Sequence, residues 1–456
     1  MRKPVLGGFA WHNCPMNSRR LGLELSILLV VAVIGAACGT SQITPAPSFQ
    51  PSGSTVASSA PSAPAAESPG PSSTPGATAD TAADLALYAR IEGQVEQLRQ
   101  LTPKLPITPV LLDEQGVRDW ITKATENGVD HAALAAQSRL FTHLGLLPAG
   151  ASLEQLEVDL ESGQAIGFYD PDTKQLYLLS QSGTVGPEQQ LTFSHEFTHA
   201  LQDQSFGLDK LAISTVDQGD RDLARTALPE GDATLSMTQW ATAHMSLADL
   251  LSVSASSLVW PQTDQLNTAP AILREDLMFP YLDGLNFVQG IYSKGGWGAV
   301  DALYAKPPSS TSQILHPALY SGHIDPVALT LPAVPASLGS GWSMSMQDTM
   351  GELQLRVWLE GEHPTDVQKT AADAAASMWA GDRIGLFEGP SGTWAVVLRT
   401  QWRSASGRTD FAAAATQTLA GLSSPSSICG DAVTADIVIA SDQASLGAFA
   451  TCKTGE

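Results

Sequence analysis

Positive charge is what this chain has least of. Its 456 residues carry 24 Lys and Arg against 46 Asp and Glu, a formal net charge of −22. No basic cluster stands beyond the N-terminus, and binding to nucleic acid requires clustered Lys and Arg to neutralise phosphates, so a nucleic-acid partner is excluded. Charge of either sign is sparse at 15%, beside 43% hydrophobic residues. That balance suits a globular protein rather than a disordered one, and the length allows a sizeable core and two or three domains. Cysteine is scarce as well, with only 4 in the whole chain, and no internal repeat is detectable.

What is present begins with an export pattern. Arg19 and Arg20 precede an apolar run from Leu21 to Ala37 that is about long enough to span a bilayer as an uncleaved anchor. The run ends in small residues directly before Cys38 and Gly39. This ending resembles a bacterial lipoprotein signal, which implies that Cys38 is lipidated and becomes the new N-terminus. Gly35 departs from that pattern, standing where a Leu is usual. On this reading Cys14 leaves with the signal, and Cys429 and Cys452 remain as an even pair. In an oxidising compartment they are expected to close a disulfide, the alternative being two reduced buried thiols. The expected location is extracytoplasmic, with a membrane anchor as partner.

Composition then divides the chain. Residues 1–38 form the signal and 39–79 a Ser/Pro/Ala tether with too little apolar surface to fold. Residues 80–324 read as a mainly helical domain of α+β class, and 325–456 as a smaller α+β domain. In the first, Leu87, Ile91, Val95 and Leu98 share one helical face, and ITPVLL (107–112) reads as a strand. Apolar runs flank DPDTK (170–174), the mark of a β-hairpin. Pro187 suits the first position of the following helix. A second long helix is expected to start near Pro229.

The helix after Pro187 carries HEFTH, His195 to His199. At positions i and i+4 the two imidazoles share a face and can meet one ion. Glu196 lies about 100° round, able to reach water rather than the metal. Zn2+ needs a third protein ligand. A histidine at 205 is excluded, because Gln202 and Ser205 stand where the HExxHxxGxxH pattern needs Gly and His. A Glu from a following helix is the other common solution, and Glu230 in ALPEGDAT is the candidate. Two imidazoles and one carboxylate plus an open position compose a catalytic zinc site rather than a closed structural one. The plainer alternatives are two histidines packed as core residues, and a Glu230 that only complements the helix dipole in its first turn. Asp203, four residues after His199, is a candidate to orient a ligand imidazole, and Asp232 a second.

HEFTHALQDQ, followed about thirty residues later by EGDAT, resembles the gluzincin branch of the HExxH zinc metallopeptidases. It is similar in particular to uncharacterised bacterial extracytoplasmic proteins of that type. Residues 167–320 carry the resemblance, including GGWGAVDALYAKPPSSTSQILHPALY (295–320). Pro229, directly before the glutamate, departs from the pattern. The resemblance implies a membrane-tethered zinc endopeptidase acting on peptides or proteins, with Glu196 as general base and proton carrier. It also implies a His or Tyr from a downstream helix as donor to the developing oxyanion, for which His316 and Tyr320 come first, ahead of Tyr281 and Tyr292. An edge strand, here QLYLLS (175–180), would pair with the substrate backbone. The string GxMEN of the aminopeptidase members is absent, so nothing supports an exopeptidase. A non-catalytic lipoprotein scaffold that retains a zincin-like fold is the alternative; catalysis demands Glu196, whereas a scaffold does not.

Overall fold

The computed structural model describes residues 80–113, 115–116, 119–120, 130–162, 167–179, 185–211, 217–259 and 264–450. The expected signal, Cys38, the tether and Cys452 lie outside them. Among the described residues no helix is long and apolar enough to cross a membrane. The class is α+β, with helices surrounding two small sheets.

In the N-terminal half, α1 (Asp80–Arg99), α2 (His131–Leu144) and α3 (Leu153–Ser162) precede the hairpin of β2 (Gly167–Asp170) and β3 (Gln175–Leu179). The turn forms as DPDTK suggests: Asp170 accepts from the backbone of Asp172 and Thr173, and Lys174 takes a positive φ. A short strand, β1 (Val110–Leu112), adds to β3 in parallel, which gives the order β1-β3-β2. The strand expected to offer a free edge to substrate is therefore the inner one, paired on both sides. Its parallel partner lies 67 residues away in sequence, Val110 standing opposite Tyr177, a pairing that local patterning does not reveal.

Two helices follow the hairpin: α4 (Pro187–Phe206) and α5 (Gly219–His244). Pro187 opens α4 as its sequence position suggests, and Gln189 accepts from the Gly186 N–H just outside. In α5 the expectation fails. The helix begins ten residues before Pro229, which sits in its interior. Its first N–H groups are capped from far along the chain, Gly219 N donating to Asp348 Oδ1 at 2.7 Å and Asp220 N to Thr349 O at 3.2 Å. Glu230 is consequently mid-helix, and complementing the dipole does not explain it.

Three helices complete this half: α6 (Leu247–Val259), α7 (Asp264–Thr268) and the long α8 (Ala271–Ala305), which bends at Gly296, φ 63°. At Gly231 and Gly284, α5 and α8 touch backbone to backbone. A Cβ on Gly231 would lie 2.2 Å from the carbonyl of Gly284, and one on Gly284 would lie 2.3 Å from Ala227 O. After the short helices α9 (Thr311–Leu315) and α10 (Pro317–Ser321), the chain enters its second sheet.

That sheet is antiparallel, built from β4 (Ser343–Asp348), β5 (Trp379–Glu388), β6 (Trp394–Trp402), β7 (Ser426–Cys429) and β8 (Thr434–Ala440) in the order β4-β5-β6-β8-β7. One face, with Ile384, Leu386, Val396, Leu398, Ile437 and Ile439, packs with Phe141 and Leu144 of α2, Leu153 of α3 and Ile272 of α8. Trp358 of α11 (Gly351–Glu360) joins the same core and donates its indole N–H to Leu144 O at 3.1 Å. Residues on both sides of position 325 thus share one core. The other face holds Phe387, Val397 and Val438 under Phe449 of the C-terminal helix (Gln443–Phe449).

The junction between α5 and the second sheet is acidic and buried. Asp220 Oδ1 accepts from the Thr311 N–H at 3.0 Å and its hydroxyl at 2.5 Å, and Asp382 accepts from Met350 N and Gly351 N. Burial pushes the Asp220 carboxyl up to about 8 despite those bonds, with Asp382 and Glu352 adding to the rise. A carboxyl raised in the folded state binds its proton more tightly there than in the unfolded chain. The associated stability is present below about pH 4 and is lost as pH rises towards 8. Asp220→Asn is expected to flatten the fall in stability between pH 5 and 8 by about 2 kcal/mol or more. Chemical denaturation at the two pH values measures it, and an unchanged pH dependence contradicts it.

Candidate metal centre

His195, His199 and Glu230 converge. The imidazoles reach the same point because α4 sets them one turn apart, their rings at 80° with centroids 4.7 Å apart. Their Nε2 atoms lie 3.0 Å from each other, and Glu230 Oε2 lies 3.2 Å from His195 Nε2 and 3.5 Å from His199 Nε2. Two ligand atoms each about 2.0–2.1 Å from a tetrahedral zinc stand about 3.3–3.4 Å apart, so the triangle has the size such an ion requires. All three residues are at most 3% exposed, and among the described residues they form the only cluster of three or more such groups able to hold a metal ion.

The electrostatics suit a cation. Burial pushes the His195 imidazole below its ordinary pKa, outweighing the hydrogen bond to Glu230 that acts the other way. Burial alone would raise the Glu230 carboxyl; the charge of His199 and the hydrogen bonds to both imidazoles overcome it and hold the group low. A neutral imidazole beside an ionised carboxylate is the protonation state in which such groups bind a metal. Glu230 Oε1 is buried with no hydrogen-bond partner, a costly state for a carboxylate oxygen that a bound cation would relieve. Glu196 is fully buried on the same helix.

The aromatic ring beside the cluster is Tyr281, its centroid 6.2 Å from that of His195. It sits one turn before Gly284 on α8, so the glycine contact that draws α8 against α5 also brings this ring in. His316 and Tyr320 are held elsewhere. His316 Nε2 bonds Glu352 Oε1 at 2.7 Å, and the Tyr320 hydroxyl donates to Lys306 O at 2.7 Å. Glu352 neighbours Asp220, which lies ten residues and about 15 Å along α5 from Glu230. Tyr292 packs against Trp297.

Neither aspartate takes the orienting role expected of it. Asp203 accepts from the Tyr169 hydroxyl at 2.8 Å and Leu208 N at 3.1 Å and pairs with Lys174 at 2.7 Å, so it fastens the hairpin to α4. Asp232 takes a two-pronged bond from Arg99 at 2.7 and 2.9 Å and a third from the Tyr304 hydroxyl at 2.7 Å. Arg99, fully buried, also bonds Asp301 and lies over the Trp297 ring. That ion pair ties α1 to α5 and α8. The residue that does touch a histidine is Gln202: its Oε1 lies 2.9 Å from His199 Nδ1. The sequence signal was its place three residues after His199, on the same side of the helix.

The described residues therefore define a buried two-histidine, one-glutamate centre held between two helices. A family described as a domain of unknown function (DUF8575) matches residues 342–455, the stretch that builds the second sheet. No curated protein and no solved structure matches the chain.

Proposed function

We propose that this protein is a zinc-dependent endopeptidase of the gluzincin type, tethered outside the cytoplasmic membrane through its N-terminal segment and acting on peptide or protein substrates. The observation that carries this reading is the convergence of His195 Nε2, His199 Nε2 and Glu230 Oε2 within 3.5 Å of one another, with Glu196 buried beside them. His195, His199 and Glu230 would hold the ion. Zinc in such a site supplies Lewis acidity and makes water acidic enough to react near neutral pH. Glu196 takes the proton from the attacking water and passes it to the leaving amine, so one carboxylate serves as base and then acid. Tyr281, its ring centroid 6.2 Å from that of His195, would be the donor to the oxyanion of the peptide carbonyl. The absence of GxMEN favours cleavage within chains.

Incubation of the protein with an unfolded polypeptide and zinc tests the proposal. Internal cleavage that stops on chelation and returns with added zinc is the expected result. Cleavage indifferent to chelation contradicts the reading.

A further inference from the structure

His199 is held by a side chain that no zinc-binding string specifies. Gln202 is fully buried, its Oε1 2.9 Å from His199 Nδ1 and its Nε2 3.0 Å from Pro229 O. The chemistry fixes which way the amide points. Pro229 O can only accept, so the amide nitrogen must face it and the amide oxygen must face the imidazole. An amide oxygen can only accept in turn, so His199 Nδ1 must carry a proton. In the neutral ring that tautomer leaves the lone pair on Nε2, the atom that meets His195 and Glu230.

The other end of the amide acts on the third ligand. Pro229 O belongs to the peptide unit whose nitrogen is that of Glu230. Pro229 also has no N–H to give, so α5 lacks one backbone hydrogen bond in the turn before Glu230. The Gln202 amide braces the helix at that point from α4. Thr198 adds a second link between the two helices, its hydroxyl 3.1 Å from that of Ser236.

We propose that Gln202 is a positioning residue for the metal centre: a single amide sets the His199 tautomer and grips the Pro229–Glu230 peptide, so that ligands from two helices are presented as one unit. The inference rests on the metal-centre reading. It deepens that reading by assigning the orienting task to an amide that joins α4 and α5, where a carboxylate beside the histidine was expected.

Two substitutions separate the two ends. Gln202→Met keeps the volume and removes both bonds. Gln202→Glu keeps an acceptor for His199 Nδ1 but has no donor for Pro229 O. Zinc affinity is measured by competition with a chelator, and the His199 proton is located from nitrogen–proton spectra of the imidazoles in the metal-free protein. Wild type is expected to show the proton on Nδ1. Gln202→Met is expected to bind zinc about 10- to 100-fold more weakly and to show His199 as a mixture of tautomers. Gln202→Glu is expected to restore the Nδ1 proton and to recover only part of the affinity.

Wild-type zinc affinity in Gln202→Met overturns the inference. So do equal losses in the two variants with the Nδ1 proton intact in both, since that is what packing alone would give. If Gln202→Met does not fold, Gln202→Glu carries the test: full wild-type affinity there contradicts a role for the Pro229 bond. A wild-type protein that binds no zinc overturns the metal-centre reading instead. The ring spectra still judge Gln202 in that case, because a His199 ring protonated on Nε2 and bare at Nδ1 in wild type refutes the derived tautomer.

Discussion

Gly231→Ala is expected to destabilise the protein by about 3 kcal/mol or more, although alanine is the better helix former by about 1 kcal/mol. The collision decides the sign. A Cβ at 231 would stand 2.2 Å from both C and O of Gly284 and 2.8 Å from Leu285 N. Those are backbone atoms of a packed helix and cannot rotate aside. Helices α5 and α8 would have to part, loosening Phe279, Leu285, Phe287 and Val288 from Ala227, Leu228 and Leu235. A loss of that size is a large share of the 5–15 kcal/mol that holds a typical domain folded. Zinc affinity should fall with it, since Glu230 is the adjacent residue and Tyr281 is one turn from Gly284. Denaturant unfolding of the two proteins measures the effect. A variant within about 0.5 kcal/mol of wild type would contradict the close crossing.

Glu196→Gln is expected to separate binding from chemistry. The substitution preserves shape, and Glu196 is not among the three converging ligands, so the variant should hold as much zinc as wild type. Without a carboxylate to accept the proton from water, cleavage should fall about a hundred- to ten-thousand-fold, the usual worth of a general base. Thermal stability should change little or rise, because an amide is less costly to bury than a carboxylate. Cleavage within about threefold of wild type would remove Glu196 from the mechanism. Loss of zinc in this variant would show that the carboxylate serves the ligands rather than the reaction.

Much of the centre was legible because its parts are local. HEFTH needs only the helical repeat to bring His195 and His199 together, and Pro187 and Gly186 mark the start of that helix. DPDTK announced the hairpin, and the α+β class followed from apolar runs alternating with helical patterns. Glu230 stands out by its distance downstream of HEFTH, although the helix that carries it was expected to start near Pro229 and starts at Gly219. Proline usually opens a helix, but here the cap comes from Asp348 and Thr349, more than a hundred residues on, and the helix runs through Pro229. The same limit applies to other parts of the chain. β3 is an inner strand only because a distant strand pairs with it. His316 and Asp232 read from sequence as helpers of a metal site, whereas Glu352 and Arg99, each remote in sequence, hold them. Gln202 is inconspicuous in the sequence because a carboxylate is the commoner partner of a ligating imidazole, and its second bond, to Pro229 O, depends on how two helices meet. The strands Ser343–Asp348 and Ser426–Cys429 carry few of the β-branched and aromatic residues that mark strands and become visible only through their partners.

Zinc content is the most direct test of the central claim. Elemental analysis of the purified protein after extensive dialysis, beside Glu230→Ala prepared in the same way, is expected to give about one zinc per chain in wild type and little or none in the variant. Folded wild-type protein without zinc, or a variant that keeps its full complement, would contradict a centre built from His195, His199 and Glu230.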